Sequence, residues 1–168
     1  MYFPGEAIYL QAKVPHAYLS GDCIECMACS DNVVRAGLTP KFKDLEVLLE
    51  MLDYEGAAPS QKLFQPTNVA ASDHKYTWMF KPPIKDFAVC KIQLPSTITN
   101  YDFQNNKYGS ILLMISGAAT LQADGMKNID LKRGKIIFLP SKVGPNVQLK
   151  DVHSKDEDFI CYQAMFNE

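Results

Sequence analysis

The second half of the chain alternates short apolar runs with turn residues. The runs are Tyr76–Phe80, Phe87–Leu94, Ser110–Ser116, Ala118–Gln122, Lys135–Leu139, Val147–Leu149 and Phe159–Phe166. Between them lie KPP, SGA, ADG, KRG and LPSKVGPN. Many short strands separated by Gly/Pro turns predict a sandwich or barrel. The first half is different. Glu6–Ala12 reads as a strand, Val14-Pro15-His16 turns the chain, and Asp22–Ala28 alternates with Cys23, Glu25 and Met27 on one face. Lys43–Tyr54 carries Leu45, Leu48, Leu49 and Leu52 at helical spacing and predicts the only strong helix. From Gly56 to Lys75 there is no periodicity, which reads as a connector between two lobes.

Two fragments point to a jelly roll of cupin type. SILLMISGAATL reads as a strand, a tight Ser-Gly turn and a returning strand, and LKRGKIIFLPSKVGPNVQL has a glycine-strand-proline rhythm. PGEAIYLQAKVPHAYL repeats that rhythm and ends on His16. The expected class is all-β: a C-terminal cupin barrel, part of a second one, and an amphipathic helix between them. The expected divisions are 1–42 (partial central cupin segment with site residues), 43–75 (helix and connector) and 76–168 (C-terminal jelly roll).

Composition narrows the function. The 168 residues are 47% hydrophobic and 21% charged, with a net charge of −2, so no basic tract recommends a nucleic acid or an anionic membrane. The longest apolar run, Ile111–Ile115, is too short to span a bilayer. The N-terminus MYFPGEAIYL has no basic n-region or long apolar stretch and does not read as a secretory signal. Five cysteines, an odd number, are expected as thiols in a reducing cytoplasm.

Of three histidines, His74 and His153 sit in polar stretches and read as solvated. His16 closes a strand and a proline turn, where a neutral imidazole makes a good metal ligand; a hydrogen-bonded rim histidine is the plainer reading. Cys23, Cys26 and Cys29 have CxxCxxC spacing, but on a strand Cys23 and Cys26 face opposite sides and cannot share a metal. Arg35 and Lys41, six residues apart, could hold a phosphate or an oxyanion. Glu25, if inward, needs a cationic or metal partner.

GEAIYL followed by VPHAYLSGDCIECMACSDNVVRAGLTPKF strongly resembles type I phosphomannose isomerase, from Gly5 to Lys43. ILLMISG and RGKIIFLP extend the likeness to that family's C-terminal jelly roll. The resemblance implies a zinc-dependent aldose–ketose isomerase that interconverts mannose 6-phosphate and fructose 6-phosphate and feeds nucleotide-sugar synthesis. It makes His16 a zinc ligand, Arg35 the catalytic residue, and Tyr18, Glu25 and Lys41 substrate-binding residues. The family's remaining ligands, a glutamine, a glutamate and a second histidine, stand upstream of the matched motif. The chain therefore reads as a C-terminal portion, inactive alone and weak in zinc binding, with a sugar phosphate as its partner and a monomeric full-length form. The rival readings are a non-catalytic cupin-like domain that binds a sugar phosphate or a protein, and a small cysteine-metal or redox protein.

Overall fold

A computed structural model describes residues 3–30, 33–69, 75–103, 107–141, 147–154 and 158–168. The expectation for His74 falls outside them. The chain divides into two compact units, Met1–Gln65 and Pro66–Glu168.

The second unit packs two antiparallel sheets face to face. One has six strands in the order β10-β7-β12-β5-β4-β3: β3 (Thr67–Asn68), β4 (Thr77–Phe80), β5 (Ala88–Leu94), β7 (Ser110–Ser116), β10 (Ile136–Leu139) and β12 (Phe159–Met165). The other has four in the order β6-β11-β8-β9: β6 (Tyr101–Asp102), β8 (Ala118–Ala123), β9 (Ile129–Lys132) and β11 (Val147–His153). Period-two alternation does the work. In β5, Ala88, Cys90, Ile92 and Leu94 are buried while the residues between them are not. Ile92, Leu94, Leu112, Met114, Phe159 and Cys161 from one sheet close on Ala119, Leu121, Leu131, Leu149 and Val152 from the other. Buried polar groups are paired: Gln163 Nε2 donates to Ser110 Oγ at 2.9 Å, and Thr77 and Tyr101 join hydroxyls across the two sheets.

The Ser-Gly turn corrects one expectation. β8 does not return alongside β7; it pairs with β9 and β11, so the chain changes sheets at Gly117. Gly117 has φ +79, and a Cβ there would lie 3.0 Å from the His153 carbonyl oxygen and 3.0 Å from the Phe159 ring. A residue with a side chain fits neither the dihedral nor the space.

The first unit contains β1 (Ala7–Ile8), β2 (Leu63–Phe64), α1 (Leu45–Met51) and α2 (Pro59–Lys62), with β1 and β2 antiparallel. Three expectations change here. Asp22–Ala28 is not a strand, since alternation sets sidedness but a ladder needs a neighbour, and no described strand lies beside it. The helix is shorter than Lys43–Tyr54 because Asp44 caps it, Oδ1 accepting from Val47 N at 3.2 Å, and Leu52 has left the helix with ψ 139. The aperiodic connector holds α2, β2 and β3. Pro59 starts α2 and Gln61 reaches back to the Ala58 N–H at 2.8 Å. No helix among the described residues is long and apolar enough to cross a membrane.

Candidate functional site

Residues 14–43 of the first unit carry every candidate side chain. His16 follows Val14-Pro15, and its Nδ1 lies 3.1 Å from the Val14 carbonyl oxygen. A carbonyl only accepts, so the neutral ring holds its proton on Nδ1 and leaves the Nε2 lone pair outward, as a metal-binding imidazole requires. The same local arrangement recurs at His153, whose Nδ1 is 2.7 Å from the Asp151 oxygen. The tautomer alone therefore does not mark a ligand. His16 stands out for its neighbours.

Tyr18 sets its ring edge-on to His16, centroids 5.7 Å apart, and its hydroxyl donates to Glu25 Oε1 at 2.9 Å. Partial burial of the hydroxyl, then the hydrogen bond and charge of Glu25, push Tyr18 up to about 12. The ring as a whole is 59% exposed, and its hydroxyl is the part held against Glu25. Glu25 is itself exposed, so the condition under which it would need a cationic or metal partner does not arise.

Arg35 is half-buried and Lys41 exposed. Among the described residues no hydrogen bond or ion pair links either to His16, Tyr18 or Glu25. Their loop is held by Thr39, a residue the sequence reading passed over. Thr39 Oγ1 accepts from Lys41 N at 3.2 Å, and its carbonyl accepts from Lys43 Nζ at 3.1 Å. Leu38 turns the chain with φ 56. Asp44 then starts α1, so the basic loop ends on a capped helix. Thr-Pro and an Asp before a leucine run are the sequence signals for both.

Cys23 and Cys29 are exposed thiols, and Cys26 is half-buried with its thiol pushed up by burial. The face argument for Cys23 and Cys26 loses its premise with the strand. Among the described residues no group of three His, Cys, Asp or Glu side chains is placed to hold a metal. Zinc catalysis takes about three protein ligands, so these residues do not form a zinc centre by themselves. His16 has the chemistry of one ligand.

No protein-family profile matches the chain. Curated relatives do. It is 46% identical over 154 residues to mouse mannose-6-phosphate isomerase, covering 91% of this chain and 36% of that one. It is 44% identical over 162 residues to the human protein of that name, covering 96% and 37%. With the Saccharomyces cerevisiae mannose-6-phosphate isomerase it shares 39% over 161 residues. Among solved structures, Salmonella typhimurium mannose 6-phosphate isomerase bound to fructose 6-phosphate and zinc superposes with a TM-score of 0.63 at 24% identity, covering 82% of this chain and 31% of that one. That likeness establishes a common fold. The chain belongs to the mannose-6-phosphate isomerase family, and it spans about a third of the length of the curated relatives it matches.

Proposed function

We propose that the chain serves the interconversion of mannose 6-phosphate and fructose 6-phosphate, carrying one wall of the sugar-phosphate site. The observation that carries this reading is 44% identity to the human isomerase over 162 residues, a stretch long enough to include nearly the whole chain. In this reading residues 1–42 are a central cupin segment that bears the site residues, 43–75 link it onward, and 76–168 are the C-terminal jelly roll. The compartment is the cytoplasm, where five unpaired thiols are stable.

Moving a carbonyl between neighbouring carbons removes one carbon-bound proton, passes through an enediolate, and returns a proton to the adjacent carbon. Negative charge builds on oxygen in between. Arg35 is cationic at any working pH and meets that charge without changing protonation. Lys41 offers a second cation on the same loop for phosphate or hydroxyl oxygens. Tyr18 and Glu25 are a donor–acceptor pair suited to sugar hydroxyls. Zinc, when bound, supplies a Lewis acid; His16 would be one of its ligands. The described residues do not complete a zinc centre by themselves.

The same incompleteness favours one rival, a non-catalytic cupin-like domain that binds a sugar phosphate or a protein. A chimera separates them, in which this chain replaces the matched third of the mouse relative. Turnover of mannose 6-phosphate by the folded, zinc-loaded chimera supports the isomerase role. A folded, zinc-loaded chimera with no turnover supports the rival.

A further inference from the structure

Leu38 has φ 56, and its side chain is 80% exposed. A leucine in the left-handed region is strained, and burial does not offset the strain here. Such a bend persists where its surroundings fix it, and bends of this kind cluster at ligand clamps. The next residue supplies the hold. Thr39 Oγ1 accepts from Lys41 N at 3.2 Å, and the Thr39 carbonyl accepts from Lys43 Nζ at 3.1 Å. Pro40 lies between and has no N–H, so the Lys41 N–H is the first beyond Thr39 that its hydroxyl can take. The proline ring also fixes its own φ, which leaves the turn little freedom. Lys43 leads into Asp44, whose carboxylate caps α1. One threonine thus ties the bend after Arg35 to Lys41 and to the residue before the helix cap.

We propose that Thr39 is a positioning residue of the sugar-phosphate site. Its hydroxyl and carbonyl hold the bend in one shape, so that Lys41 meets the substrate's phosphate from a backbone already in place. The identity of the substrate rests on the isomerase reading; the hold rests on the two hydrogen bonds. Thr39 touches no reacting atom and acts through Lys41. A lysine loses rotamer freedom when it binds an anion, and a fixed backbone removes part of the ordering cost in advance. The gain falls on binding and not on the chemical step. Phosphate oxygens carry their charge before, during and after the proton moves, so a point charge held against them lowers KM and leaves kcat alone.

The test is made in the zinc-loaded chimera that carries this chain. Turnover of mannose 6-phosphate gives KM and kcat. Calorimetry with mannitol 6-phosphate, which has no carbonyl to move, gives Kd. Thr39→Val and Thr39→Ala remove the acceptor, whereas Thr39→Ser keeps it. The expected result is a rise of about fivefold in KM and Kd for Val and Ala, with kcat unchanged and with Ser restoring both. In a Lys41→Ala background the same substitutions should add nothing, because the two residues act as a unit. Several results overturn the proposal: an unchanged KM, a fall in kcat, an effect that persists without Lys41, or a Ser variant as weak as Val. Loss of folding or of zinc in both Val and Ala does so too, since Thr39 is then structural. An unsubstituted chimera that binds mannitol 6-phosphate without turnover counts against the isomerase role alone, and Kd still decides the part of Thr39. Full turnover with Thr39→Val kinetics unchanged counts against Thr39 alone.

Discussion

The phenol of Tyr18 donates to the carboxylate of Glu25 at 2.9 Å, across seven residues that form no regular element. This contact and the ring-edge approach to His16 give an otherwise irregular stretch a defined arrangement. It titrates in a predictable direction. Tyr18 is pushed up to about 12, so its neutral form is the one the folded chain favours. The stabilising effect is complete below the unfolded phenol value near 10 and is lost as pH rises through about 12. In an ultraviolet titration of the phenolate band, Glu25→Gln should move one late-titrating tyrosine to lower pH, and Tyr18→Phe should remove it. Unchanged late titration in both variants would mean the contact does not form.

Gly117 should tolerate no side chain. Gly117→Ala meets a left-handed φ and a carbonyl oxygen and a ring at 3.0 Å, and should cost on the order of 3 kcal/mol. Gly125→Ala, with φ +75 and open space around it, should cost ~1 kcal/mol. Urea unfolding followed by the fluorescence of Trp78, the only tryptophan, reads both. Equal costs would mean that the close approach at the sheet crossing is wrong.

Leu112→Ala should destabilise the second unit by about 3 kcal/mol, because its side chain is fully buried between the sheets. Ile136→Ala, 64% exposed on β10, should change stability by less than ~0.5 kcal/mol. A reversed order would place the core on the wrong face of the six-stranded sheet.

Zinc should be scarce in the chain alone. Only His16 is proposed as a ligand, and no three-residue donor group lies among the described residues. Elemental analysis of the purified chain after dialysis against zinc should give well under one ion per molecule, with mannose 6-phosphate turnover at background. Stoichiometric zinc that survives a chelator would contradict this.

Much of the jelly roll was legible because its sheets bury one face each. That leaves period two in the letters, and β7 was read with its bounds intact as Ser110–Ser116. β6 escaped notice because it is two residues long, and β9 because Ile129-Asp130-Leu131-Lys132 has no apolar run like those of the equally short β4 and β10. The hairpin reading of Ser116-Gly117 failed for a different reason. Turn chemistry says that the chain bends, whereas which sheet it enters next is decided by packing against Phe159, more than forty residues away. In the first unit the alternation of Cys23 to Ala28 promised a strand, but a strand is a property of two segments, and letters in one of them do not supply the other. The site residues were reached through a long family motif. The strand and proline turn before His16 set it apart from His153 in the sequence, although both rings make the same Nδ1–carbonyl contact, and the Tyr18–Glu25 hydrogen bond left no sequence signal at all.

We propose that the loop bearing Arg35 serves the same sugar phosphate as the segment bearing His16. The most direct test is kcat for mannose 6-phosphate in the chimera that carries this chain, with and without Arg35→Ala. Turnover should be measurable and should fall about 100-fold or more in the variant, while zinc content and folding stay as they were. Turnover that survives the loss of Arg35 undiminished would contradict it.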